Sequence, residues 1–128
     1  MKLAVDSNLL IRYLAWDDMG QAHGATAQIE SANTVFISTI VLCETVGVLK
    51  RAYRHTSDEF MEALSDVIHS RNVEVDRPAA EAGLRMLARC GDFADGVIQY
   101  DAIRSNCDRV ATFDQTFQEL LTPKLRKA

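Results

Sequence analysis

Long apolar runs are missing from this chain, and so is any pair of cysteines at ligand spacing. No stretch approaches the about 20 apolar residues that cross a bilayer, so no membrane role is expected. Cys43, Cys90 and Cys107 are odd in number and far apart, with no Cys-x-x-Cys. That pattern excludes a zinc ribbon and a disulfide framework. With no secretory signal, it points to reduced thiols in a cytoplasmic protein. Glycine is sparse, at six residues. There is no Gly-x-x-x-x-Gly-Lys phosphate loop, no Gly-x-Gly-x-x-Gly turn and no Gly-x-Ser-x-Gly elbow. The two prolines, Pro78 and Pro123, fall at expected element boundaries, and no linker, repeat or low-complexity tract separates parts of the chain. Excess positive charge is lacking too. The net charge of −4 gives no general attraction to nucleic acid. His23, His55 and His69 have neither ligand spacing nor a triad context.

What remains is ordinary globular material. The 128 residues are 48% hydrophobic and 25% charged, which fits one domain over residues 1–128 with a core of its own. Of the fourteen cations ten are Arg, the residue better suited to bidentate phosphate contacts. They gather around Lys50 to His55, at Arg85 and Arg89, and in the tail from Lys124 to Lys127. Arg51, Arg54, Arg85 and Arg89 are therefore candidate phosphate contacts, against the plainer reading of solvated helix faces.

Short apolar runs alternate with longer helical patterns. Strands are expected at Lys2 to Asp6, Thr34 to Ser38, Asn72 to Asp76 and Arg109 to Phe113. Helices are expected from Ser7 to Trp16, Asp17 to Ala32, Thr39 to Tyr53, Ser57 to Ser70, Pro78 to Arg89, Asp92 or Ala94 to Asn106, and Gln115 to Leu121. This order predicts an α/β domain whose parallel sheet is covered on both faces. In such sheets ligands bind beyond the carboxyl ends of the strands.

Four acids interrupt or end apolar runs: Asp6, Glu44, Asp95 and Asp114. A carboxylate buried there without a partner would cost several kcal/mol, so each calls for an explanation. Asp6 and Asp114 follow expected strands. Glu44 shares a helix row with Ile40 and Val48. Asp95 falls in the first turn of a helix that Asp92 caps. Each has a plainer reading. Asp6 or Asp114 can be a helix cap, although that role suits Ser7 or Asn8 more readily than Asp6. Glu44 can pair with Arg12 or Arg104, and Asp95 can complement a helix dipole. Four carboxylates in one pocket need cations, and hard oxygen donors suit Mg²⁺ or Mn²⁺. Residue types alone thus suggest metal-assisted phosphodiester hydrolysis.

The set Asp6-Ser7-Asn8, Ser38 to Glu44, Asp92-Phe93-Ala94-Asp95 and Thr112-Phe113-Asp114 resembles the PIN-domain family, and within it the VapC-type toxins of bacterial toxin–antitoxin pairs. The resemblance spans nearly the whole chain. It implies a three-layer fold with a short central parallel sheet of four to five strands flanked by helices. It implies an Mg²⁺- or Mn²⁺-dependent endoribonuclease in which Asp6, Glu44, Asp95 and Asp114 bind metal and carry catalysis, supported by the polar Asn8 and Thr112. Metal-activated water would cut the RNA phosphodiester and leave a 5′-phosphate and a 3′-hydroxyl. It further implies a homodimer silenced by a VapB-type antitoxin.

Cys107 stands where the family often has a small residue, and the stretch after Asp114 is short and polar, which puts a fifth strand in question. A haloacid dehalogenase-like phosphatase would need an acid where Asn8 stands. A receiver domain would need an acidic pair after the first strand and a lysine after a late one. A PIN-like module that binds without cutting stays open.

Overall fold

The computed structural model describes residues 1–15, 18–52 and 57–126. The expected helix ends at Trp16, Asp17 and Tyr53, and the candidate Arg54, lie outside them. The chain divides into two compact units, Met1–Arg77 and Pro78–Ala128.

The first unit holds β1 (Lys2–Ala4), α1 (Ser7–Ala15), α2 (Met19–Ser31), β2 (Thr34–Phe36), α3 (Thr39–Ala52), α4 (Ser57–Ile68) and β3 (Val73–Glu74). The sheet is parallel in the order β1-β2-β3, with Leu3 opposite Val35 and Val35 opposite Val73. Val35 and Ile37 are buried at its centre. Lys2 on one outer strand reaches Glu74 on the other at 3.0 Å. The expectation that strand residues are covered on both faces does not hold for β1, where Lys2 and Ala4 are exposed. As an outer strand it has a single pairing partner, and its Lys2 keeps its charge in water.

Each helix buries one stripe. In α3 the buried residues are Leu42, Thr45, Val46 and Leu49, at the three-and-four spacing of one face. In α4 Phe60, Leu64 and Ile68 do the same. In α2 the buried residues are Ala22 and Ala25, small enough for α1 to approach closely.

The second unit contains α5 (Arg77–Ala88), α6 (Phe93–Arg104), α7 (Gln115–Leu120) and a 3-10 turn at Pro123–Leu125. Its helices α5 and α6 meet through glycine. A Cβ on Gly83 would fall 2.6 Å from the buried Phe93 ring, and one on Gly96 would fall 2.4 Å from the Ala82 carbonyl oxygen. A second cluster joins Met86, Val110, Phe117, Leu121 and Leu125.

The expected fourth strand, Arg109 to Phe113, is not formed, so among the described residues the sheet has three strands rather than four to five. The physical reason lies further along the chain. The Val110 N–H donates to the Leu125 carbonyl at 3.0 Å, so the segment is tied to the last turn of the chain rather than laid into a ladder. Val110 alone of the run is buried there.

Both long helices of this unit close with a left-handed residue. Cys90 has φ 65° and Asn106 has φ 59°. The Gly91 N–H donates to Met86 and Cys90 to Leu87, while Cys107 donates to Ala102 and Asn106 to Ile103. These are paired closures of the Schellman type. Asn tolerates the left-handed region, whereas Cys90 carries a penalty of about 1 kcal/mol or more there. The side chain of Cys90 is exposed. Cys90→Gly is therefore expected to raise the melting temperature by roughly 2–5 °C in a calorimetric scan; a lower value would remove this reading of the helix end.

Candidate functional site

Asp6 stands two residues after β1 and starts α1. Its Oδ1 accepts the Leu9 N–H at 2.9 Å, and its backbone carbonyl accepts the Leu10 N–H. Asp6 is thus the N-cap itself, and the expectation that Ser7 or Asn8 would more readily take that role is corrected. The reason is geometric: a cap must sit before the first helical residue, and that residue is Ser7. Asp6 is exposed rather than buried. Among the described residues its Oδ2 has no partner, so one carboxylate oxygen holds the helix and the other faces outward. Asn8 lines the same cleft as Asp6, about 360 Å³ in volume, with Leu9 and Arg12 of α1 and Gln21, Gly24 and Gln28 of α2.

Ser38 stands after β2 as Asp6 stands after β1. Its Oγ accepts the Val41 N–H at 3.4 Å and starts α3. Two strands in register thus end in two capped helices, and Glu44 lies in the second turn of the second one. It does share a row with Ile40 and Val48, but that row is the outer one: Glu44 is exposed and Ile40 is 67% exposed. The core stripe of α3 runs through Leu42, Thr45, Val46 and Leu49, around the helix from it. Among the described residues Glu44 has no hydrogen-bond or ion-pair partner, so a pairing with Arg12 or Arg104 is not formed.

In the second unit Asp92 occupies the N-cap position of α6 without a side-chain cap bond, and Asp95 is half-buried in the first turn. Its neighbours Phe93 and Gly96 are both buried, which fixes that turn against α5. Asp114 caps α7. Its Oδ1 accepts the Phe117 N–H at 3.1 Å, and its carbonyl accepts the Gln118 N–H. Thr112 acts one step back: its Oγ1 accepts the Asp114 N–H at 3.0 Å. The hydroxyl thus fixes the turn that carries the acid. Asp114, like Asp6, is exposed.

The expectation of buried carboxylates is therefore corrected for three of the four: Asp6, Glu44 and Asp114 are exposed and Asp95 is half-buried. The apolar runs that suggested burial are real, but in each case the acid begins a helix or lies on its outer row. Water solvates the charges, and no burial cost arises. Among the described residues no group of three or more His, Cys, Asp or Glu side chains stands together as a metal site. The first unit carries Asp6 and Glu44, and the second carries Asp95 and Asp114.

Of the candidate cations, Arg51 is exposed in the last turn of α3, and Arg85 is exposed on α5. Arg89 already donates to the Leu120 carbonyl at 2.9 Å. Arg126 donates from Nε to Leu121 and from a terminal nitrogen to Glu119. These two guanidinium groups thus satisfy the open carbonyls at the end of α7. Arg109 and Phe113, absent from the sequence-based candidates, line a cleft of about 330 Å³ with Val110, Ala111, Thr112 and Gln118. The strand assigned to that segment hid Phe113, because an aromatic strand residue reads as core.

A family model for the PIN domain matches residues 3–120. The chain belongs to the PIN-domain family. The match extends across both units and includes all four acids. Among solved structures, the crystal structure of Mycobacterium tuberculosis VapC20, a sarcin–ricin loop cleaving toxin, is similar to this chain. It is 17% identical, with 99% of this chain and 100% of that chain covered and a TM-score of 0.48. No curated protein matches. No helix among the described residues is long and apolar enough to cross a membrane.

Proposed function

We propose that this PIN domain, taken as one functional domain over residues 1–128, is a VapC-type endoribonuclease that depends on Mg²⁺ or Mn²⁺. One observation carries the reading. Asp6 and Asp114 each spend one oxygen on a backbone N–H and hold the other outward. A carboxylate fixed in this way has its rotamer set before any ligand arrives, the arrangement that outer hydrogen bonds give to metal ligands. Glu44 adds a carboxylate without a duty in the fold, and Asp95 adds one from a turn locked by packing. The donor set is all carboxylate oxygen, which fits a hard divalent cation.

In this reading Asp6, Glu44, Asp95 and Asp114 would hold the cation. Such a cation would lower the pKa of bound water and polarise a phosphoryl oxygen. The chain's part is to orient. The Leu9 and Phe117 amides hold two of the carboxylates, and Thr112 and Asn8 support the turns beside them. Arg51, Arg54 and Arg85 contribute contacts to RNA phosphates, and Arg89 does so with the donors it does not give to Leu120. The products carry a 5′-phosphate and a 3′-hydroxyl. A VapB-type antitoxin, a homodimer and a cytoplasmic setting belong to the same reading, on the strength of the four motifs in order along the chain.

The test is cleavage of a labelled RNA pool with Mg²⁺ or Mn²⁺, with EDTA, and with Glu44→Gln protein. Wild type should cut only with metal. Glu44→Gln should lose more than about 100-fold in rate, with an unchanged melting temperature because Glu44 is exposed and without a partner among the described residues. Equal cutting by both proteins, or cutting that survives EDTA, would overturn the reading.

A further inference from the structure

We infer that Phe113 is a stacking platform for one unpaired base of the RNA, with Arg109 on the neighbouring phosphate. The inference rests on the ribonuclease reading and names a substrate subsite for it. Phe113 is fully exposed, although Val110, three residues earlier, is buried in the cluster of Met86, Phe117, Leu121 and Leu125. A phenyl ring left in water forgoes about 1.5–3 kcal/mol of burial. Single exposed apolar residues are common on protein surfaces, but Phe113 is not isolated. It lines the 330 Å³ cleft together with Arg109, Ala111 and Gln118. That size is at the lower end of small-ligand sites, which suits one nucleotide better than a helix of a partner protein.

The cleft has the chemistry of a single-strand site. Aromatic faces stack on bases of any sequence, and arginine supplies the phosphate contact. Among the described residues the Arg109 guanidinium has no hydrogen-bond or ion-pair partner. Gln118, half-buried, adds an amide able to meet a base edge. The backbone that carries the ring is held in place. Thr112 Oγ1 accepts the Asp114 N–H across it, so the residue between them is fixed in a tight turn. The same turn carries Asp114, the N-cap of α7, on the next residue.

The experiment measures equilibrium binding of a labelled, unstructured RNA in Mg²⁺. Phe113→Ala and Phe113→Tyr are each compared with Phe113 in an Asp6→Asn background that leaves the RNA uncut. Gel filtration of the same proteins gives their size. Because the ring is exposed, neither change threatens the fold. Phe113→Ala should weaken binding about 5- to 150-fold, the range for loss of one stacked base, and Phe113→Tyr should restore it. Equal affinities of all three, or no RNA binding by any, would overturn the inference. So would a change of oligomeric size in Phe113→Ala with RNA affinity intact, which would make the ring a protein contact. Failure of the ribonuclease reading is visible separately, as absence of cutting by wild type in the same RNA.

Discussion

Asp6→Asn should abolish metal-dependent cleavage and leave the fold almost untouched, whereas Asp6→Ala should damage both. The difference follows from the two oxygens of one side chain. Asn keeps an oxygen for the Leu9 N–H, now 2.9 Å from Asp6 Oδ1, and Asn caps helices about as well as Asp. The remaining loss is one negative charge at the start of α1, about 0.3–1 kcal/mol. In the proposed reading, the carboxylate oxygen meant for the cation is replaced by an amide group that carries no charge. Cleavage should fall by more than about 100-fold. Ala removes the cap as well and should cost about 1 kcal/mol further in denaturant titration. Asp114 offers the same comparison through its bond to the Phe117 N–H. If Asn and Ala proved equally unstable, the cap would not be formed in solution. If Asp6→Asn cut RNA at the wild-type rate, Asp6 would be a cap and nothing more.

Gly96→Ala should be the most destabilising small change in the second unit. Helix propensity alone argues the other way, since Ala in a helix interior is favoured over Gly by about 1 kcal/mol. Packing decides. The new Cβ would lie 2.4 Å from the Ala82 carbonyl oxygen and 2.8 Å from the Met86 Cβ. A flexible side chain can move aside, but a backbone carbonyl inside α5 cannot move without moving the helix. Overpacking of this kind costs about 2–3 kcal/mol net of the propensity gain, a fall in melting temperature on the order of 10 °C. Because Asp95 precedes Gly96, cleavage should drop as well, even at temperatures where the protein stays folded. Gly24→Ala is the internal control. A Cβ there meets nothing within 4 Å, so propensity acts alone and the melting temperature should rise. A rise for both variants would mean that α5 and α6 do not touch at Gly96.

The helices were legible in the sequence because their apolar stripes are long enough to show a period. The stripes of α3 and α4 are examples, and Pro78 falls in the first turn of α5 as expected. The three strands were placed rightly but drawn too long. A run such as Thr34 to Ser38 keeps its β-forming composition past Phe36, where the pairing stops and Ser38 turns to cap a helix. Arg109 to Phe113 was misread for a related reason. A short apolar run gives no period, and what decided its state was a distant carbonyl, that of Leu125. The four acids were legible as a set because they are rare in such runs. Their environment was not, because exposure depends on which side of α3 faces the core. Glu44 lies on the row that Ile40 and Val48 mark, and two apolar residues on a row suggested a core that the rest of the helix supplies.

The double duty proposed for Asp6, Thr112 and Asp114 changes how relatives of this chain should be read. A residue that starts a helix or locks a turn will persist after chemistry is lost, because the fold still asks for it. Aspartate before α1, threonine two residues before α7 and aspartate at its start are therefore letters that an inert descendant would keep. Glu44 has no such second employer among the described residues. Once a lineage stopped cutting RNA, that position would be the first to drift, and a glutamine or alanine there would mark the silent copy while the other motif letters still spelled an enzyme.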